Sequence, residues 1–329
     1  MVLEKQSGWA RGELWWEAFS RDFEINDLGF LRRNGYYEPW LWVQARQDEP
    51  WGPLRRSSVS VDRWGRWNLD EVALANGLGL GAWSQFRNYW EVYGSYRHHY
   101  RVRDDRDTRG GPLIVRPASN GFELSIRSDK RGALQGGGWF DWGSDTAGST
   151  WRSLGSYLIV RLASNVELRF SPDIRWNVDD AQWLENVDTD SDGAVDHYVY
   201  GELKSKTVDL TTRLNLLFTR NLSLEFYMQP FVTVGDYHNF KELAQPDSYQ
   251  FVAYPAPADN PDFRRRSLLS NMVLRWEYRP GSTLFLVWSQ SRGDSSSDPS
   301  FRPLRHFGRS FADEGTNIFL IKLNYWMGL

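Results

Sequence analysis

Between residues 207 and 234 apolar and polar side chains alternate strictly along two segments joined by Arg220-Asn221. Val208, Leu210, Leu214, Leu216 and Phe218 fall against Thr207, Asp209, Thr211, Arg213 and Asn215. After the turn, Leu222, Leu224, Phe226, Met228, Val232 and Val234 fall against Ser223, Glu225, Tyr227, Gln229 and Thr233. A period of two is the period of a strand. One face carries full charges and amides, the other large aliphatic and aromatic groups. A strand with lipid on one side and a water-filled lumen on the other reads this way.

The pattern recurs along the chain. In 166–179, Val166, Leu168, Phe170, Ile174, Trp176 and Val178 alternate with Glu167, Arg169, Ser171, Asp173, Arg175, Asn177 and Asp179. In 268–279, Leu268, Met272, Leu274, Trp276 and Tyr278 alternate with Asn271, Arg275, Glu277 and Arg279. The final segment sets Phe319, Ile321, Leu323 and Tyr325 against Lys322 and Asn324.

Turn residues divide the chain into predicted strands at 9–20, 36–47, 53–66, 70–85, 88–102, 111–127, 132–142, 151–162, 166–179, 197–219, 222–235, 266–279, 282–292 and 315–327. Pro117 and Asn120-Gly121 are expected to bend or bulge the strand at 111–127, and Gly77, Gly79 and Gly81 weaken the one at 70–85. Polar loops at 103–110, 143–150, 180–196, 236–265 and 293–314 alternate with short turns such as Pro280-Gly281. Outer-membrane barrels have short periplasmic turns and long external loops. The strand at 197–219 is then one long element whose outer part, with Glu202, Lys204 and Lys206 facing outward, projects beyond the bilayer. The expected fold is therefore all-β, an antiparallel up-and-down transmembrane β-barrel of about 14 strands in the cell outer membrane. Its expected partners are the lipid bilayer and the outer-membrane insertion machinery.

Bulk composition changes this picture little. Mean hydropathy is -0.58 and charged residues make up 25%, and no run of 18 apolar residues exists, which excludes a helical membrane protein. Alternation hides a barrel's lipid face from such averages. The chain has 18 Trp in 329 residues, against roughly 1% in ordinary soluble proteins, and Trp gathers where apolar and wet zones meet. Trp90, Phe218, Trp276, Tyr278 and Tyr325 are expected in a periplasmic girdle, with Trp176 and Trp288 in an outer one. The absence of Cys removes disulfides and thiolate metal sites. A net charge of -3, with Lys and Arg spread out, argues against nucleic acid as a partner. Met1 to Arg21 lacks the basic and then apolar segments of a signal peptide, so the chain is expected to be an N-terminally truncated barrel, the C-terminal portion of a longer protein.

The stretches FEINDLGFLRR (Phe23 to Arg33), DTRGGP (Asp107 to Pro112), MQPFVTVGDYHNFKEL (Met228 to Leu243), LRWEYRPGSTLFLVWSQ (Leu274 to Gln290) and FLIKLNYW (Phe319 to Trp326) resemble a family of outer-membrane barrels of unknown function. Its members carry an N-terminal domain similar to carbohydrate-binding module family 9. The resemblance runs through the whole chain and implies that residues 1–329 are the C-terminal barrel part. It implies no catalytic residues.

Three constellations carry candidate chemistry. Arg161, Glu167, Arg169, Asp173, Arg175, Asp209, Arg213, Glu225, Arg275 and Glu277 lie on the polar faces. They are expected to line a lumen, either as a selective pathway or as cross-strand ion pairs that stiffen it. Asp188, Asp190 and Asp192 with Gly193 form a DxDxDG run, and Asp196 takes the ninth position of a calcium loop. Val199 stands where such a loop has its bidentate Glu, so the alternative is an acidic, solvated loop without Ca²⁺. His98, His99, His197, His238 and His306 include the pairs Asp196-His197 and Asp236 with His238, but no nucleophile motif accompanies them. An enzyme is not expected. Tyr227, Trp183 and Trp326 are candidates for stacking on sugar rings. The expected function is porin-like passage or binding of polar solutes, with saccharide as a candidate ligand. The alternatives are a non-conducting anchor for a carbohydrate-binding or surface domain, and an outer-membrane hydrolase.

Overall fold

The computed structural model describes residues 1–27 and 29–328, so Leu28 of the Phe23–Arg33 stretch and the terminal Leu329 lie outside the described residues. The chain opens with β1 (Val2–Lys5), β2 (Ala10–Phe19), β3 (Tyr36–Gln47), β4 (Leu54–Asn68), β5 (Ala73–Phe86) and β6 (Glu91–His99). Two short strands, β7 (Val102–Asp104) and β8 (Ile114–Arg116), precede β9 (Ser119–Arg127), β10 (Leu134–Asp145) and β11 (Thr150–Ala163). The longest strands follow: β12 (Val166–Val187), β13 (His197–Thr219) and β14 (Leu222–Leu243). After β15 (Phe251–Ala253) come β16 (Phe263–Arg279), β17 (Ser282–Ser296), the helix α1 (Pro303–Ser310) and β18 (Gly315–Asn324).

All but β7 and β8 form one antiparallel sheet of sixteen strands, and setting aside the short β1 and β15 leaves the fourteen expected from alternation. Neighbours in sequence are neighbours in the sheet throughout, β6 pairing with β9 across the β7–β8 excursion. Turns at 164–165, 220–221 and 280–281 lie at one end of the strands, and the long connections 20–35, 100–118, 188–196, 244–262 and 297–314 at the other.

Several boundaries differ from the alternation pattern. Pro117, which has no N–H for a ladder, separates β8 from β9 and does not bend a continuous strand. The ladder carries β12 on to Val187 and β14 to Leu243, far into segments expected as loops, with register shifts between Asp179 and Gln182 and between Trp183 and Glu185. Bulges of this kind break alternation while preserving pairing. The loop expected at 293–314 loses its start to β17, and Pro303 opens α1, where a missing N–H is tolerated.

The register fixes which residues share a face. Leu124, Phe140, Leu154, Ile174, Val208 and Val232 form one unbroken cross-strand row, and Leu168, Leu214, Phe226, Met272, Trp288 and Phe319 another. On the opposite face Ser60, Gly81, Ser95, Glu123, Asp141, Ser153, Arg175, Thr207 and Thr233 lie in a row. Among the described residues no second layer covers the apolar rows of β3–β12: Leu41, Val61, Leu80, Leu124, Phe140 and Leu154 are all exposed, Leu154 at 53%.

The buried core is correspondingly small and sits at the long-loop end. Ile114, Ala181 and Tyr200 pack with Trp183, Tyr198, Leu243, Tyr249 and Phe251. A second buried patch, Val232, Val234 and Leu268, lies where α1 meets β14 and β16.

The fold expectation is met in its coarser part, an all-β antiparallel sheet of consecutive strands. Among the described residues the sheet does not close: β1 pairs only with β2 and β18 only with β17, and β18 is exposed along its whole length. The structure shows an all-β antiparallel sheet with two free edges.

Candidate functional site

The ten charges expected on the polar face do share one face by register, but they do not converge on one point. Arg161 pairs with Glu167 at 3.0 Å, Arg175 with Asp173 at 2.6 Å and Asp209 at 3.8 Å, and Arg275 with Glu277 at 3.1 Å. Arg169 lies over the Tyr157 ring and Arg213 over Tyr227. Glu225 shares a hollow with Arg213 and Tyr227. These are pairs within and between neighbouring strands, distributed along β11–β16.

A more concentrated arrangement lies on the same face of β3–β12, where glycines sit opposite aromatic residues. Trp64 faces Gly77, Trp139 faces Gly155, Trp151 faces Gly143 and Tyr157 faces Gly137 in directly paired positions. Each ring lies across its glycine: a Cβ at Gly143 would stand 2.0 Å from the Trp151 ring. Three hollows open beside them. The first, about 470 Å³, is lined by Trp139, Tyr157, Glu123, Arg127 and Arg169. It shares Glu123, Ser125 and Arg127 with a second of about 280 Å³ that holds Trp83 and Tyr93. Tyr93 in turn borders a third of about 460 Å³ between Trp40, Trp42, Trp64 and Asp62. The three form a trough across the sheet. Its sequence signal is glycine at polar-face positions opposite an aromatic, which alternation read along one strand at a time does not expose.

Residues 100–118 form a strap at the long-loop end of the strands. At its start β7 lies against β5, and Asp105 meets Arg33 and Asn68. At its far side Arg103 is bidentate on Asp247, Val115 N–H donates to Ser248 O, and Asn186 donates to Thr108 O at 3.0 Å. Arg116 holds Asp107 at 2.5 Å and Asp104 at 3.3 Å. The Tyr200 hydroxyl lies beside Asp107 but outside hydrogen-bond geometry, and neither it nor Asp107 Oδ2 has a partner. Burial pushes the Asp107 carboxyl up, against the pull of Arg116. Burial would raise Asp105 also, but the hydrogen bond and charge of Arg33 outweigh it and hold that carboxyl below its ordinary value. The strap thus ties the region around β2–β5 to the ends of β12–β14.

In the acidic loop, ligand oxygens of Asp188, Asp190 and Asp196 lie within 4.8 Å of one another, while Asp192 stands outside that group and caps the Ala194 N–H at 2.7 Å. Much of the carboxylate capacity is used locally. Asp188 accepts from Ser191 and Gly193 N–H, and Asp196 accepts from Thr189. Hydrogen bonding to Thr189 lowers the Asp196 carboxyl.

The histidines do not gather. His197 Nδ1 meets Glu242 and not Asp196, His238 lies 3.2 Å from Asp236, and the buried His306 faces the backbone oxygen of Ser300. Among the described residues no serine or threonine hydroxyl hydrogen-bonds a histidine. Of the three stacking candidates, Trp183 is covered by Arg109 and Tyr227 by Arg213, while Trp326 lies against Gly281.

A family model described as a domain of unknown function, DUF5916, matches residues 1–329, and the chain belongs to that family. No curated protein matches it.

Proposed function

From a family that supplies no activity, we propose that this chain forms the wall of an outer-membrane β-barrel, with its apolar face on lipid and its polar face on an aqueous lumen that passes or binds polar solutes. One observation carries this reading: eight neighbouring strands from β3 to β12 expose a continuous apolar face that no layer covers among the described residues. At ~4.8 Å per strand that face is roughly 35 Å wide, beyond the few hundred Å² of apolar patch a soluble monomer exposes. A sheet in water must bury such a face against another element. Lipid removes the requirement.

The height of the band fits as well. Along β14 the apolar face runs from Leu222 to Val232, about 34 Å at ~3.4 Å per residue, or about 26 Å at a tilt of ~40°. Above it the same face turns polar in the row Trp142, Arg152, Trp176 and Lys206. Trp176 lies inside a long strand and not at its end, yet at the level where the face changes, which suits an interfacial ring. In hydrocarbon each unpaired backbone group costs several kcal/mol. The free edges of β1 and β18 therefore require partner strands, and the insertion machinery is the expected route into the membrane.

The chain has no Cys, so single cysteines test the assignment directly. In liposomes a cysteine at Asn215 should react with a water-soluble maleimide and one at Leu214 should not; equal labelling would reject the two-faced wall. The strap favours a second reading, a non-conducting barrel that anchors an attached domain, because it is held at both sides of the long-loop end. Solute-driven swelling of the same liposomes separates the two.

A further inference from the structure

We propose that the trough on the polar face of β3–β12 is a binding track for neutral oligosaccharides, an inference that rests on the lumen reading and adds its ligand. The carrying observation is the set of rings laid over glycine. A Cβ would stand 2.1 Å from the Trp139 ring at Gly155, 2.6 Å from Tyr157 at Gly137 and 2.1 Å from Trp64 at Gly77. Several atoms of each ring crowd the same point, so each ring has one face against the backbone and the other toward a hollow. Only glycine permits this seat.

An aromatic face held open beside polar groups suits a ligand with its own apolar face and polar edge. A pyranose is built so, its C–H groups on one side and its hydroxyls around the rim. Hydroxyls both donate and accept, and the trough offers both roles through Glu123 and Arg127, which border two of the hollows. Across the three hollows four basic side chains are matched by four acidic ones, so the track as a whole gives no net attraction for an anion or a cation and the ligand is uncharged. A linear ligand follows from the layout. Tyr93, Ser125 and Trp139 are in register across three strands, which separates the two rings by about 10 Å, close to two sugar units.

The test is calorimetry on the full chain refolded in a non-glycosidic detergent, with maltohexaose and cellohexaose as probes and glucose as the short control. At least one hexaose should bind, and glucose should be weaker by about tenfold or more. Trp139→Ala, and Gly155→Val, which displaces the ring without removing it, should each weaken the hexaose by about tenfold, the value of one aromatic stacking contact. Trp139→Phe should retain binding, which answers the objection that a variant simply failed to fold. Leu154→Ala, on the opposite face, should leave binding unchanged. No heat from either hexaose, or full binding by Trp139→Ala, overturns the track. Liposome swelling by glycerol reads the lumen separately. Swelling without hexaose binding removes the track alone, and hexaose binding without swelling removes passage alone.

Discussion

The middle of the sheet and its long-loop end are made from the same strands, yet different physics holds them. In the middle, the rows from Leu124 to Val232 and from Leu168 to Phe319 run without a register shift, and of their residues only Val232 is buried. At the long-loop end the ladders bulge, Ile114 and Tyr200 are fully buried, and the strap and α1 pack on the strands. The middle has the order of a surface matched to its solvent. The end has the order of a small protein core.

The sharpest way to break this contrast is a charge on the apolar face. Leu214→Arg should destabilise the lipid-inserted sheet by about 2–4 kcal/mol near mid-bilayer, while Asn215→Arg on the polar face should be tolerated. A denaturant titration in lipid that shows equal losses would remove the distinction between the faces.

A smaller effect is expected where the strap docks. Asp105→Asn leaves the partly buried Arg33 without its charged partner and should cost about 1–3 kcal/mol. The loss should appear as faster hydrogen exchange in residues 102–116, with the middle of β12 and β13 unaffected. Loss of protection throughout the sheet would show that the two regions are one cooperative unit. Ile114→Val should act in the same place by about 0.5–1.5 kcal/mol.

Acid provides a third test. Because the folded Asp105 carboxyl is lowered, its contribution is fully present above its unfolded value near pH 4 and is lost as pH falls through the lower folded value. Asp107, raised by burial, works the other way: its ionised form disfavours the docked strap, and protonation relieves this as pH falls through the raised value. Strap protection should therefore hold or rise slightly from about pH 7 to 5 and fall below about pH 4. Asp105→Asn should abolish the acid loss. The smallest effect belongs to Arg103 and Asp247, both about half exposed. Such pairs contribute little, and Arg103→Ala should leave exchange in the strap near wild type.

Alternation made the middle of the molecule legible from sequence. A period-two pattern is local, and Val166–Val178 or Leu222–Val234 carry it whatever their neighbours do, so all fourteen long strands and the tight turns at Arg220-Asn221 and Pro280-Gly281 could be read off. The two aromatics expected in an outer ring separate: Trp176 lies where the face turns polar, but Trp288 lies beside Met272 and Phe319 in the apolar row of Leu214. The ends of β12 and β14 were not legible in this way, because register shifts at Asp179–Gln182, Trp183–Glu185 and Tyr200–Glu202 hide strand pairing behind broken alternation, and β17 runs on through the uniformly small or polar residues 293–296.

What only the tertiary structure decided depends on residues that meet across long stretches of chain. Nothing near Asp105 or Asp247 in sequence announces Arg33 or Arg103, so the docking of the strap could not be read from any one segment. The seats of Trp64 on Gly77 and Trp139 on Gly155 require the register between strands, and a one-residue slip would turn every such ring to the other face. Whether the sheet closes was likewise beyond local pattern, since closure depends on which strands meet the edges of β1 and β18. The sequence by itself determined the strands and their two faces, because side-chain direction along a strand is set by backbone geometry. The strap, the trough and the open edges were decided by long-range pairing, whose energy belongs to no single segment.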